Sequence, residues 1–115
     1  MAFTEFELKR IEKLAQDFIE KKRPPVHIRN ELDLGYRIKG NSVEFFEVRP
    51  LWNNPKKIIE EPVAKTTFVN TQKKWKIFWQ RADCRWHRYE PGPEVNTFEE
   101  FLSIVDNDDY ACFWG

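Results

Sequence analysis

The sequence predicts an α+β fold: a five-stranded, mainly antiparallel sheet in meander order, with an N-terminal and a C-terminal helix packed on one face. Three observations carry that prediction. Thr4-Glu5-Phe6-Glu7 and Thr97-Phe98-Glu99-Glu100 each place a Thr three residues before a Glu, the capping-box signature of a helix start. Between them the apolar period changes to the alternation of half-buried strands. Proline clusters (Pro24-Pro25, Pro50 to Pro62, Pro91-Gly92-Pro93) separate the elements. At 115 residues the chain is read as one domain, 1–115, long enough to bury a core without staples.

The first helix is predicted over residues 4–22. Leu8, Ile11, Leu14, Ala15, Phe18 and Ile19 keep a helical period, with Phe3 and Leu8 at the hydrophobic-staple positions. Lys21-Lys22-Arg23 suits the negative end of the helix dipole, and Pro24-Pro25 stops the helix. A strand over 31–39 follows, in which Leu32, Leu34, Tyr36 and Ile38 alternate with polar residues. Gly40-Asn41 reads as a two-residue hairpin turn into a strand over 42–49. That turn pairs Tyr36 with Phe45, Ile38 with Val43 and Arg37 with Glu44, and lays Phe46 across Gly35. Pro50 to Pro62 is expected to be a loop or a short helical excursion. Strands are predicted over 63–69, 74–81 and 85–89, with turns at 70–73 and at Ala82-Asp83. The last helix is predicted over 98–105, ended by Asp106-Asn107-Asp108-Asp109, and the apolar tail from Tyr110 to Gly115 is expected to dock on the body of the protein.

Composition limits function. Hydrophobic residues make up 41% and aromatic residues 16%, and the formal net charge is zero, so no bulk field draws the chain to DNA or an anionic membrane. No run approaches the roughly 20 apolar residues of a membrane span. Cys84 and Cys112 have no metal-ligand spacing and read as reduced thiols. The opening MAFTEFELKR lacks the basic and apolar regions of an export signal, so a cytoplasmic chain is expected. No phosphate loop, nucleophile elbow or Cys/His dyad spacing is present, which leaves no cofactor, no metal and no catalytic residue to name, and the chain leans away from being an enzyme.

The residues that could bind something lie in Lys73–Tyr89, where three of the five tryptophans, six Lys/Arg and one His share a stretch whose only acid is Asp83. A turn on Ala82-Asp83 sets Trp79 opposite Trp86 and Ile77 opposite Arg88, turning Trp75, Ile77, Trp79 and Trp86 inward. Lys74, Lys76, Phe78, Arg85, His87 and Tyr89 then share the outer face. A sheet face with cations between rings binds single-stranded nucleic acid by stacking and phosphate contact, or an acidic protein; it also reads as an ordinary solvated face with cation–π pairs. From Glu90 onward the chain holds seven acids and no Lys or Arg, which could instead answer the basic strands within the chain or in a homo-oligomer. The acidic 106–109 segment lacks the glycine and distal Glu of a calcium loop.

A class-different alternative is a small enzyme or anionic-ligand site around Glu47, Arg49 and Lys65. Asp33 with Glu47-Val48-Arg49 resembles a metal-nuclease pattern, but the hairpin register sends Asp33 and Glu47 to opposite faces, and Arg49 stands where Lys is needed.

The strings FTEFELKRIEKL, FFEVRPLWNNP, VAKTTFVNTQKKWKIFWQRADCRWHRYEP and DDYACFWG make the chain resemble the domain-of-unknown-function 3024 family of small bacterial proteins, over nearly its full length. The resemblance implies a compact bacterial α+β protein and supplies no catalytic motif.

Overall fold

The computed structural model describes residues 3–81, 83–110 and 112–114. In chain order the elements are α1 (Glu5–Lys22), a short 3₁₀ turn (Val26–Ile28), β1 (Asp33–Lys39), β2 (Ser42–Leu51), β3 (Asn54–Val69), β4 (Lys74–Gln80), β5 (Trp86–Arg88), β6 (Glu94–Val95) and α2 (Phe98–Asn107). The sheet runs β1-β2-β3-β4-β5, antiparallel throughout, and β6 pairs with β4 on the same edge as β5. No helix is long and apolar enough to cross a membrane among the described residues.

The α1 capping box forms as its residues predict. The Glu7 N–H donates to Thr4 Oγ1 at 3.2 Å and the Thr4 N–H to Glu7 Oε1 at 3.0 Å, satisfying two end donors and holding the Glu7 carboxyl below its usual range. Phe3 packs onto the buried Trp75, ring centroids 5.4 Å apart, which ties the helix start to the sheet. At the other end Arg23 leaves the helix and clasps Asp33 with two charge-assisted bonds of 2.7 and 2.8 Å, fixing the path into β1.

Only the Thr97 half of the second box forms. Its hydroxyl accepts from the Glu100 N–H at 3.2 Å, while the Glu100 carboxylate accepts from that hydroxyl and not from the cap N–H.

Both helices lie on one face. Phe18 and Phe101 stack on Phe45 from α1 and α2, at 5.1 and 5.8 Å, and Phe98 packs on Trp75 at 5.3 Å. The β1–β2 register places Tyr36 opposite Phe45, Ile38 opposite Val43 and Gly35 opposite Phe46, as the Gly40-Asn41 turn requires.

Two expectations about the sheet are corrected. Residues 50–62 form no loop: β2 runs to Leu51 and β3 begins at Asn54, so the hairpin continues as a ribbon closed by Trp52-Asn53. The prolines sit where their strand has a single neighbour. Pro50 lies beyond the last β1 pair at Val48, and Pro55 and Pro62 lie beyond the last β4 pair at Ala64. A residue without an N–H costs no ladder bond on an open edge. Nor does Pro91-Gly92-Pro93 end the sheet, because the Ile77 N–H donates to the Pro93 carbonyl at 3.0 Å and Glu94–Val95 returns to β4.

The acidic end of α2 is neutralised by α1 and not by the basic strands. Asp106 meets Lys22 at 2.5 Å and Lys21 at 3.4 Å, and Glu99 pairs with Arg10. Asp108, left-handed at φ 45°, caps the helix and accepts the Phe113 and Trp114 N–H groups at 3.1 and 2.9 Å. Within the tail Phe113 is buried against Tyr89 and the Trp114 indole donates to the Val105 carbonyl at 2.8 Å, so these two residues dock as expected. Tyr110 stays exposed, and Ala111 and Gly115 lie outside the described residues.

Candidate nucleic-acid interface

The face of the sheet away from the helices is organised by the turn between Arg81 and Arg85. The Cys84 N–H donates to the Arg81 carbonyl at 2.9 Å and the Arg81 N–H to the Arg85 carbonyl at 3.2 Å. Cys84 holds a left-handed φ of 62°. A turn with an odd number of residues ending in a left-handed position shifts the pairing by one residue relative to a two-residue turn. Phe78 therefore faces Arg88, Trp79 faces His87 and Gln80 faces Trp86.

That shift overturns part of the expected site, because a one-residue slip sends every side chain of β5 to the other face. Trp86 is not a core residue and joins the outer face. Tyr89, only 3% exposed, is buried against Phe113, with Tyr110 edge-on at 6.5 Å. His87 turns to the Trp79 side and bonds Asp83 through Nε2 at 2.8 Å, which with the Arg85 N–H holds the Asp83 carboxyl below its usual range. Arg85 sits exposed at the turn. Of the six expected residues, only Lys74, Lys76 and Phe78 share the outer face, and Lys74 is tied to the Asn96 side chain.

The outer face that results is a cross-strand ladder. Register places Arg37, Glu44, Lys65, Phe78 and Arg88 in one row across all five strands. Lys65 Nζ lies 5.3 Å from the Phe78 ring centre and 5.1 Å from that of Trp86, so one ammonium joins two neighbouring rings. Arg37 covers Phe46 at 4.5 Å while pairing with Glu60. Phe46 can lie flat because Gly35 opposite has no side chain: a Cβ there would sit 2.7 Å from Phe46 Cε1. Beside the ladder, Gln72, Lys76, Arg88, Pro93 and Glu94 line an open groove of about 250 Å³.

The alternative constellation does not assemble. Glu47 and Arg49 share the helix-side parity of Leu34, whereas Lys65 is on the outer face. Arg49 pairs with Glu61, and Glu47 lines a shallow apolar groove with Leu34 and Trp114. Among the described residues no group of three or more His, Cys, Asp or Glu is placed to hold a metal. Sequence reasoning missed Lys65 and Trp86 as neighbours. The signal that could have found them is a left-handed turn position, which a glycine would have announced and Cys84 conceals.

Fold and face together define a small α+β module, with one side of its sheet closed by helices and the other open, cationic and aromatic. The chain belongs to the family described as a domain of unknown function (DUF3024), which matches residues 3–115. No curated protein and no solved structure matches it.

Proposed function

We propose that this chain is a non-catalytic binding module that takes up single-stranded nucleic acid on the outer face of its sheet. The observation that carries the reading is the Phe78–Lys65–Trp86 cluster: two adjacent rings on an open face with a cation between them. Each base stacked on such a ring contributes about 1–3 kcal/mol, with little dependence on base identity. Lys65, Lys76 and Arg88 surround the rings and serve the phosphates. A net charge of zero makes this a local footprint, so binding is modest and strongly salt-dependent. A bacterial cytoplasm suits the reading, in keeping with the free thiols Cys84 and Cys112.

The test is fluorescence anisotropy with labelled oligo-dT and oligo-rU across a salt series. Affinity is expected to fall with salt at a logarithmic slope of roughly 2, for about three neutralised phosphates. Trp86→Ala and Phe78→Ala should weaken binding with the slope unchanged, and Lys76→Glu with Arg88→Glu should flatten it. Affinity indifferent to all four overturns the proposal. Preference for an acidic peptide over either oligonucleotide transfers the face to a protein partner.

A further inference from the structure

We infer that the ribbon tip of one copy docks in an acidic groove of a second copy, forming a reciprocal two-fold dimer. Past Val48 the ribbon projects as two strands, and every residue from 52 to 58 is exposed. Trp52 stands 88% exposed at its end and Ile58 58% exposed on its flank, so the largest apolar side chain at the tip has nothing covering it among the described residues. The acids of the outer ribbon are already matched, Glu60 by Arg37 and Glu61 by Arg49. Lys56 and Lys57 have no acidic partner among the described residues, which leaves the tip cationic around an exposed indole.

The groove has the opposite character. About 400 Å³ in volume, it has a floor of Tyr89, Val95 and Ile104 and a rim that includes Glu100, Asp109 and the exposed ring of Tyr110. The other acids of α2 and the turn after it are engaged, Glu99 with Arg10, Asp106 with Lys21 and Lys22, and Asp108 with the tail N–H groups. Glu100 and Asp109 have no cation among the described residues.

Internal pairing thus leaves two lysines beside an unburied Trp at one end and two carboxylates over an apolar floor at the other. The occupant follows from charge. The outer sheet face repels the tip, being cationic itself, whereas the groove matches it in sign and is large enough for an indole, which buries about 150–250 Å². Exchange of tips between two copies closes the assembly; one-way docking would propagate open chains.

Analytical ultracentrifugation of the full chain tests this, from roughly 10 µM to 1 mM protein and at low and high salt. The expected result is a salt-weakened monomer–dimer equilibrium, with Trp52→Ala raising the dissociation constant at least about tenfold. The charge-reversed variants K56E/K57E and E100K/D109K should each be monomeric alone and dimerise when mixed, since the mixture restores opposite charges at both contacts. All these positions are exposed; E100K also removes the Thr97–Glu100 side-chain bond at the start of α2, so circular dichroism and thermal melts verify that each variant keeps the fold before association is read. A chain monomeric throughout the range, a dimer indifferent to these substitutions, or a mixture that fails to recover association overturns the proposal. None of the substitutions touches the outer sheet face, so oligonucleotide binding is read independently.

Discussion

The hairpins β1–β2 and β4–β5 both set rings and cations on paired antiparallel strands, but they turn by different means. The first closes with Gly40 at φ +59° in a two-residue turn, and its pairing can be written down from the residues. The second closes between Arg81 and Arg85 with Cys84 left-handed at φ 62°, and its pairing runs one residue away from the two-residue solution. That single residue moves Trp86 outward and Tyr89 inward. The contrast teaches that the identity of an outer face rests on the backbone of one turn residue as much as on the alternation of the strands.

The largest effects are expected from truncating the two aromatics that the shift exchanges. Tyr89→Ala should cost about 3–5 kcal/mol in urea unfolding, as expected for an aromatic lost from a packed core, and Trp86→Ala less than about 1 kcal/mol. A two-residue turn would reverse that order. The next effect belongs to the first hairpin. Gly35→Ala should destabilise by about 1–3 kcal/mol because its Cβ meets the Phe46 ring. In a Phe46→Ala background the same change should be neutral or mildly stabilising, and an unchanged cost there would rule out the ring as its cause.

The turns themselves should respond with opposite signs. Gly40→Ala loses about 1 kcal/mol by placing a side chain at positive φ, whereas Cys84→Gly relieves that strain and gains up to about 1 kcal/mol. Equal signs in thermal or urea melts would show that the turns are not built as described. The smallest effect is electrostatic. Asp83 is held below its ordinary value of 3.8 chiefly by its bond to His87. A depressed folded value means that the stabilisation is complete above the ordinary value and lost as pH falls through the lower one. The melting temperature of Asp83→Asn should therefore fall less steeply below about pH 4 than that of the parent chain.

The two turns differ in the same way in how much of their pairing is legible in the residues. The first capping box, the helical period, the Gly40-Asn41 turn and the docking of Phe113 and Trp114 are local or compositional signals, and the structure bears them out; of the second box only the Thr97 half forms. The outer face was half legible: Lys74, Lys76 and Phe78 follow from alternation within one strand, while Trp86 and Tyr89 depend on a turn that no glycine marks. The segment from Pro50 to Pro62 failed for another reason. Proline argues against a central strand, and only the tertiary structure reveals that each of these prolines has an open edge beside it.

By itself, then, the sequence determined the two helices, the α+β class and the β1–β2 register, because each rests on contacts within a turn or two of chain. The tertiary structure alone decided which rings face out, how far β2 and β3 extend, and which acids meet which bases. Those outcomes depend on where neighbouring strands end and on the φ of Cys84, and neither is set by a residue's identity or by its nearest neighbours in sequence.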